Sequence, residues 1–84
     1  MCMDEILVTI YVLALQKEFD IFLPINMHMK EALNLIQNSI QELDDNYQIL
    51  SNPILYCESG SKVINLNNTV KFSGLQNGCK VLLN

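Results

Sequence analysis

A single segment of this chain repeats with the period of a helix, and the stretches on both sides of it alternate like strands. Met29, Ala32, Leu33, Ile36, Ile40 and Leu43 recur at three- and four-residue spacings, which lines up one apolar stripe along about four helical turns. Lys30, Glu31, Asn34, Gln37, Asn38, Gln41 and Glu42 occupy the other face. Asn26 can cap the start. Asp44, Asp45 and Asn46 put negative charge where the helix dipole is already negative, so the helix should stop there. A lone amphipathic helix has to bury its stripe on some other layer, and a sheet is the layer the flanking segments supply.

Upstream, Ile6, Val8, Ile10 and Val12 share one parity and should face the core, while Thr9 and Tyr11 fall on the other. Ala14 to Lys17 then spans a hairpin loop, although no Asn-Gly or Gly-Gly pair specifies its type. Glu18 to Ile25 resumes the alternation through Phe19, Ile21, Leu23 and Ile25, with Pro24 unable to donate to a ladder near the strand's end. Downstream, Pro53 opens a short apolar run from Ile54 to Cys57, Glu58 to Ser61 reads as a turn, and Lys62 to Leu66 reads as a returning strand. Thr69 can cap one helical turn through Phe72, and Gly74 and Gly78 punctuate the approach to a final strand, Cys79 to Leu83.

The order is therefore strand, strand, helix, strand, short strand, strand. The final strand finds neighbours only in the middle of the sheet, between the first and third strands and parallel to the first. That arrangement is α+β, a β-grasp with a mixed four- to five-stranded sheet and one helix packed across it. A split βαβ sandwich would need a second long helix, which the sequence lacks. With 84 residues there is material for a single core, so residues 1–84 are expected to form one domain. Half of those residues are apolar and 17% are charged, enough to drive collapse.

Composition also narrows the partners. A formal charge of -4 with only five Lys and Arg leaves no basic stripe for phosphates, so neither nucleic acid nor an anionic lipid surface is an expected partner. A basic or neutral protein fits better. The longest apolar run, Ile6 to Leu15, is interrupted by Thr9 and falls short of the roughly 20 residues that span a bilayer. Asp4 and Glu5 at the start, with no Lys or Arg, do not resemble a secretory signal. The expected location is the cytoplasm, at the membrane only through a partner. Three cysteines, Cys2, Cys57 and Cys79, are an odd count and two lie in strands, as expected of reduced thiols.

Candidate chemistries are weak. His28 is the only histidine and has no Cys or second His three or four positions away, so no local metal site is expected. A Cys/His nucleophile would need a thiol beside His28, yet the helix start and the sheet interior lie apart in this arrangement. Cys57 and Cys79 read as small buried hydrophobes, and Asp44 and Asp45 as a helix terminus without a following loop of oxygen ligands. Gly60, Gly74 and Gly78 have turn spacing and lack the Lys and Ser or Thr of a phosphate loop. No enzyme activity, cofactor or metal is expected.

Two stretches carry a family resemblance. Phe19-Asp-Ile-Phe-Leu-Pro24 followed by a capped helix resembles the second strand and helix entry of the YukD family, whose members show an Asp-Leu-x-Leu-Pro-like run. Gly60-Ser-Lys-Val63, Leu66, Thr69 and Gly74-Leu-Gln-Asn-Gly78 resemble the end of that family and of ubiquitin-like domains generally. The resemblance implies a ubiquitin-like fold and an accessory role in bacterial type VII (ESX-type) secretion, as a free small protein such as EsaB or YukD or as the cytosolic N-terminal domain of the membrane protein EccD. Conjugated ubiquitins and the carriers ThiS and MoaD end in Gly-Gly, whereas this chain reads Val81-Leu-Leu-Asn84. The carrier or modifier reading is accordingly the alternative, and the leading expectation is a non-enzymatic adaptor.

What remains is surface. If Cys79, Val81 and Leu83 point at the helix, Lys80 and Leu82 point away from it. Leu55 of the third strand is expected to join Leu82 there, with Leu15 of the first loop completing the cluster. Leu15, Leu55, Lys80 and Leu82 are thus the expected protein-binding residues, an apolar group that in ubiquitin's case serves recognition on the corresponding strands and loop.

Overall fold

A computed structural model describes residues 4–57 and 62–84. Five strands and one α-helix follow in order: β1 Glu5–Val12, β2 Lys17–Pro24, α1 Met29–Leu43, β3 Leu55–Cys57, β4 Lys62–Val63 and β5 Cys79–Leu83, with a 3-10 turn Val70–Phe72 before β5. The sheet order is β2-β1-β5-β3-β4. β5 lies between β1 and β3, parallel to the first and antiparallel to the second, as the sequence led us to expect. The returning strand is shorter than the expected Lys62 to Leu66, and the expected Glu58 to Ser61 turn lies outside the described residues.

Alternation sorts the strands into two faces. Val8, Ile10 and Val12 of β1, Ile21 and Leu23 of β2, and Val81 and Leu83 of β5 are buried beneath the helix, joined by Met29, Ala32, Leu33, Ile36 and Ile40 of α1. Loops at both ends of the sheet hold this core shut. The β1–β2 loop turns through Gln16 at φ 54, a left-handed position that an asparagine or glycine would occupy at less cost. Its amide and that of Leu15 donate to the Val12 carbonyl at 2.8 and 3.2 Å. At the other end Leu7 donates its amide to the Asn77 side-chain oxygen at 2.8 Å, and the Gly78 amide donates to the Leu7 carbonyl, so the Asn77-Gly78 pair extends the β1–β5 ladder by one rung. Gly78 has φ 84, a backbone state that suits glycine.

The helix differs from expectation at its ends and along one flank. His28, not Asn26, is the N-cap: its Nδ1 accepts the Lys30 amide at 3.2 Å. Leu43 is exposed, because a 3.6-residue period carries the buried stripe from Ile40 to Asp44 and leaves the last leucine beyond the sheet. Gln37, expected on the outer face, is buried. Its Oε1 accepts from the Tyr47 hydroxyl at 2.6 Å and from the Leu50 amide at 2.7 Å, which ties the long α1–β3 connection to the helix. Burial pushes the Tyr47 phenol up from its ordinary value. At the helix end, the Lys17 ammonium donates to the Asp44 carboxylate at 2.8 Å, joining β2 to the C-cap.

Truncating Ile36, which is fully buried, to Ala should cost about 2–5 kcal/mol in denaturant unfolding, since so small a core collapses poorly around a cavity. Asp44 gives a pH prediction. The Lys17 hydrogen bond, and then the Asn46 amide, hold its carboxyl below the usual carboxylate range. A lowered native value stabilises the fold above the unfolded value, and that gain is lost as pH falls through the native one. Melting curves of wild type and Asp44→Asn should differ at neutral pH and converge in acid; a gap that is unchanged in acid would remove Asp44 from the account.

Candidate functional site

Residues paired across a sheet share a face, so the side of the sheet away from α1 can be assembled from the register alone. One row runs across all five strands: Val63, Tyr56, Leu82, Tyr11 and Glu18. The next holds Lys80, Thr9 and Asp20, and a third holds Leu7 and Phe22. Phe22 and Val63 are more than half exposed, at 54% and 61%. Two aromatic rings therefore flank Leu82 at the centre of the open face.

The first row borders a concavity of about 610 Å³ in which Tyr11, Tyr56, Leu82, Lys80 and Glu18 take part. Its polar side is built by an ion pair: Lys80 reaches diagonally over β1, and its ammonium lies 2.7 Å from Glu18 Oε2. Both side chains are roughly half exposed, so this pair adds little to stability. What it does is hold the Lys80 stem across the sheet as a wall. Beside it the Thr9 hydroxyl donates to Asp20 Oδ1 at 2.7 Å.

The four residues expected from sequence do not gather as a group. Lys80 and Leu82 are on the open face, at the concavity. Leu55 is not: it is fully buried, because β3 pairs with β5 so that Leu55 lies opposite Leu83, a core residue. The expected pairing with Leu82 belongs instead to Tyr56. Leu15 is half-buried and packs against the core, drawn under the sheet by its turn instead of out over it. Tyr11, Tyr56 and Val63 are the members that sequence reasoning missed. Tyr11 was legible from its parity in β1, but Tyr56 and Val63 required a register that no residue of so short a strand announces.

Other chemistry is sparse. His28 uses Nδ1 to cap the helix. Cys57 lies opposite Val81, with Cys79 two residues further along β5. Among the described residues no group of three His, Cys, Asp or Glu side chains is placed to hold a metal ion, and no helix is long and apolar enough to cross a membrane.

No protein-family model matches the chain, and no curated protein matches it in sequence. Solved structures do match in shape. A structure described as molecular mimicry of SUMO that promotes DNA repair is similar over 100% of this chain and 95% of its own, with a TM-score of 0.79 and 11% identity. The ubiquitin-like domain of the type VII secretion system protein ECCD1 from Mycobacterium tuberculosis is similar over 96% of this chain and 98% of its own, at TM-score 0.71 and 16% identity. The fold is the ubiquitin-like β-grasp. A chain of the ESX-5 inner membrane complex also contains such a region: 98% of this chain aligns with 21% of that one, at TM-score 0.66 and 10% identity. At these identities the ubiquitin-like likeness is one of fold, and it includes domains from type VII secretion.

Register makes a sharp contrast between two leucines. Leu55→Asp should abolish a cooperative melt or cost more than about 3 kcal/mol, since it buries an unpaired carboxylate. Leu82→Asp, on the half-open face, should cost about 1 kcal/mol. Equal losses in chemical denaturation would contradict the observed β3–β5 pairing.

Proposed function

We propose that this chain is a non-enzymatic ubiquitin-like accessory protein that acts in the cytoplasm by binding another protein, in the manner of the YukD-like components of type VII secretion. The observation that supports this most directly is the open face. Tyr56, Leu82 and Tyr11 form a contiguous apolar row beside a concavity, with the Lys80–Glu18 pair at its border. An apolar centre with a charged rim is the composition of a modest protein-binding site. Tyrosine suits that task, since it offers a large rigid area at small entropic cost and a hydroxyl for the wet edge.

Such a site works by exclusion of water: a partner side chain seated on Leu82 between the two rings would remove three apolar surfaces from solvent together. The secretion assignment draws on the ubiquitin-like domains of that machinery among the structural neighbours. A bacterial secretion partner at the membrane would bring this domain there.

The reading predicts that Tyr56→Asp and Leu82→Asp each weaken binding to cytosolic domains of type VII secretion components by at least about 1–2 kcal/mol. Calorimetric titration beside thermal melts would separate binding from folding. Undiminished binding by both folded variants would move the working surface to the acidic side of the helix around Glu31, Gln41 and Glu42.

A further inference from the structure

We infer that the open face receives a basic amphipathic protein segment, one that carries an Arg or Lys midway between two apolar anchors about 13 Å apart. The inference rests on the open face being the binding surface and names the chemistry of what binds there. The three rows of that face supply the pattern. Tyr56, Leu82 and Tyr11 form an apolar row at one end; Leu7 and Phe22 form a second at the other. Tyr11 and Leu7 stand four residues apart on β1, which at strand rise is about 13 Å. Between them lies the polar row of Lys80, Thr9 and Asp20.

Charge on this face is lopsided. Among its described residues Glu5, Glu18 and Asp20 are acidic and Lys80 is the basic one. Lys80 is engaged with Glu18. Asp20 is exposed on the edge strand β2 and accepts from the neutral Thr9 hydroxyl. No ion pair among the described residues joins Asp20 to a cation. A segment with a carboxylate at the midpoint would meet like charge there, whereas an Arg or Lys would complete the row with a charge-assisted hydrogen bond. The net charge of -4 adds attraction at longer range. It also sets two copies of this face against each other, which argues against the chain serving as its own partner. A helix presents the required spacing through positions i, i+4 and i+8, which span about 12 Å.

The test uses two synthetic helical peptides identical except at one position. Both have Leu at i and i+8; one has Arg at i+4 and the other Glu. Each is titrated into the intact protein by calorimetry and by amide chemical-shift mapping. The proposal expects the Arg peptide to shift the amides of Thr9, Asp20 and Leu82 and the Glu peptide to bind at least roughly tenfold more weakly. Asp20→Asn keeps the shape and the Thr9 contact and should weaken the Arg peptide roughly five- to tenfold. Asp45→Asn removes the same unit of charge from an exposed site at the helix end and should stay within about twofold of wild type. Unchanged affinity in Asp20→Asn with shifts still on the open face would overturn the basic-segment inference alone. Shifts confined to the helix side, or a second copy found occupying the face at titration concentrations, would overturn it together with the docking surface on which it rests.

Discussion

The parallel pairing of β1 with β5 is the constraint from which the rest of the structure follows. It sets Val8 beside Cys79 and Val12 beside Leu83, and it places β5 where both of its edges are bonded. Because side chains alternate, fixing one residue of β5 fixes a whole transverse line. Leu83 turned inward brings Leu55 inward with it, and Leu82 turned outward carries Tyr56 and Tyr11 to the open side. The helix then has one face to cover, which Ile36, Ile40 and Met29 do, and the other face is left to whatever the protein meets.

Much of this was written in the chain. The helical stripe and the inward parity of β1 rest on periods that run long enough to be unambiguous, the central place of the final strand follows from the order of the elements, and each is observed. What escaped the sequence depends on contacts between distant segments. Leu55 and Tyr56 are equally good strand residues, and a three-residue strand has too little pattern to say which faces the helix; the bonds exchanged by Ile54 and Asn84 decide it. Gln37 looks like an outward polar residue until Tyr47 and the Leu50 amide fold back onto it. His28 displaces Asn26 as the cap because the Met29 amide is held by the Asn68 carbonyl and Val70 donates to Met27, which fixes where the helix begins. Of the four residues expected at the site, two take their place, Lys80 and Leu82, through period two; the outward parity of Tyr11 was also readable in β1, whereas Tyr56 and Val63 needed the register.

A shared frame leaves function to the surface decoration. The ubiquitin-like shape is common to proteins with separate roles, as its neighbours in DNA repair and secretion indicate. What individualises this chain is the combination on its open side: tyrosines around a leucine, a Lys80 committed to Glu18, and the Asp20 carboxylate on an edge strand. Those features lie on strands, where the ladder holds their spacing, so recognition here has little need of loop ordering on binding.

The strand at the middle of the sheet is also the one that is synthesised after all the others. Leu7 and Asn77, which bond directly, are separated by 70 residues. On the ribosome the β1–β2 hairpin and α1 emerge early and have enough local order to begin forming, yet the seam between the two halves of the sheet stays open until β5 leaves the exit tunnel. During that interval β1 presents an unpaired backbone edge flanked by Val8, Ile10 and Val12, the kind of surface that recruits a chaperone or another nascent chain. The docking of β5 is therefore the step that takes this edge out of reach of other chains.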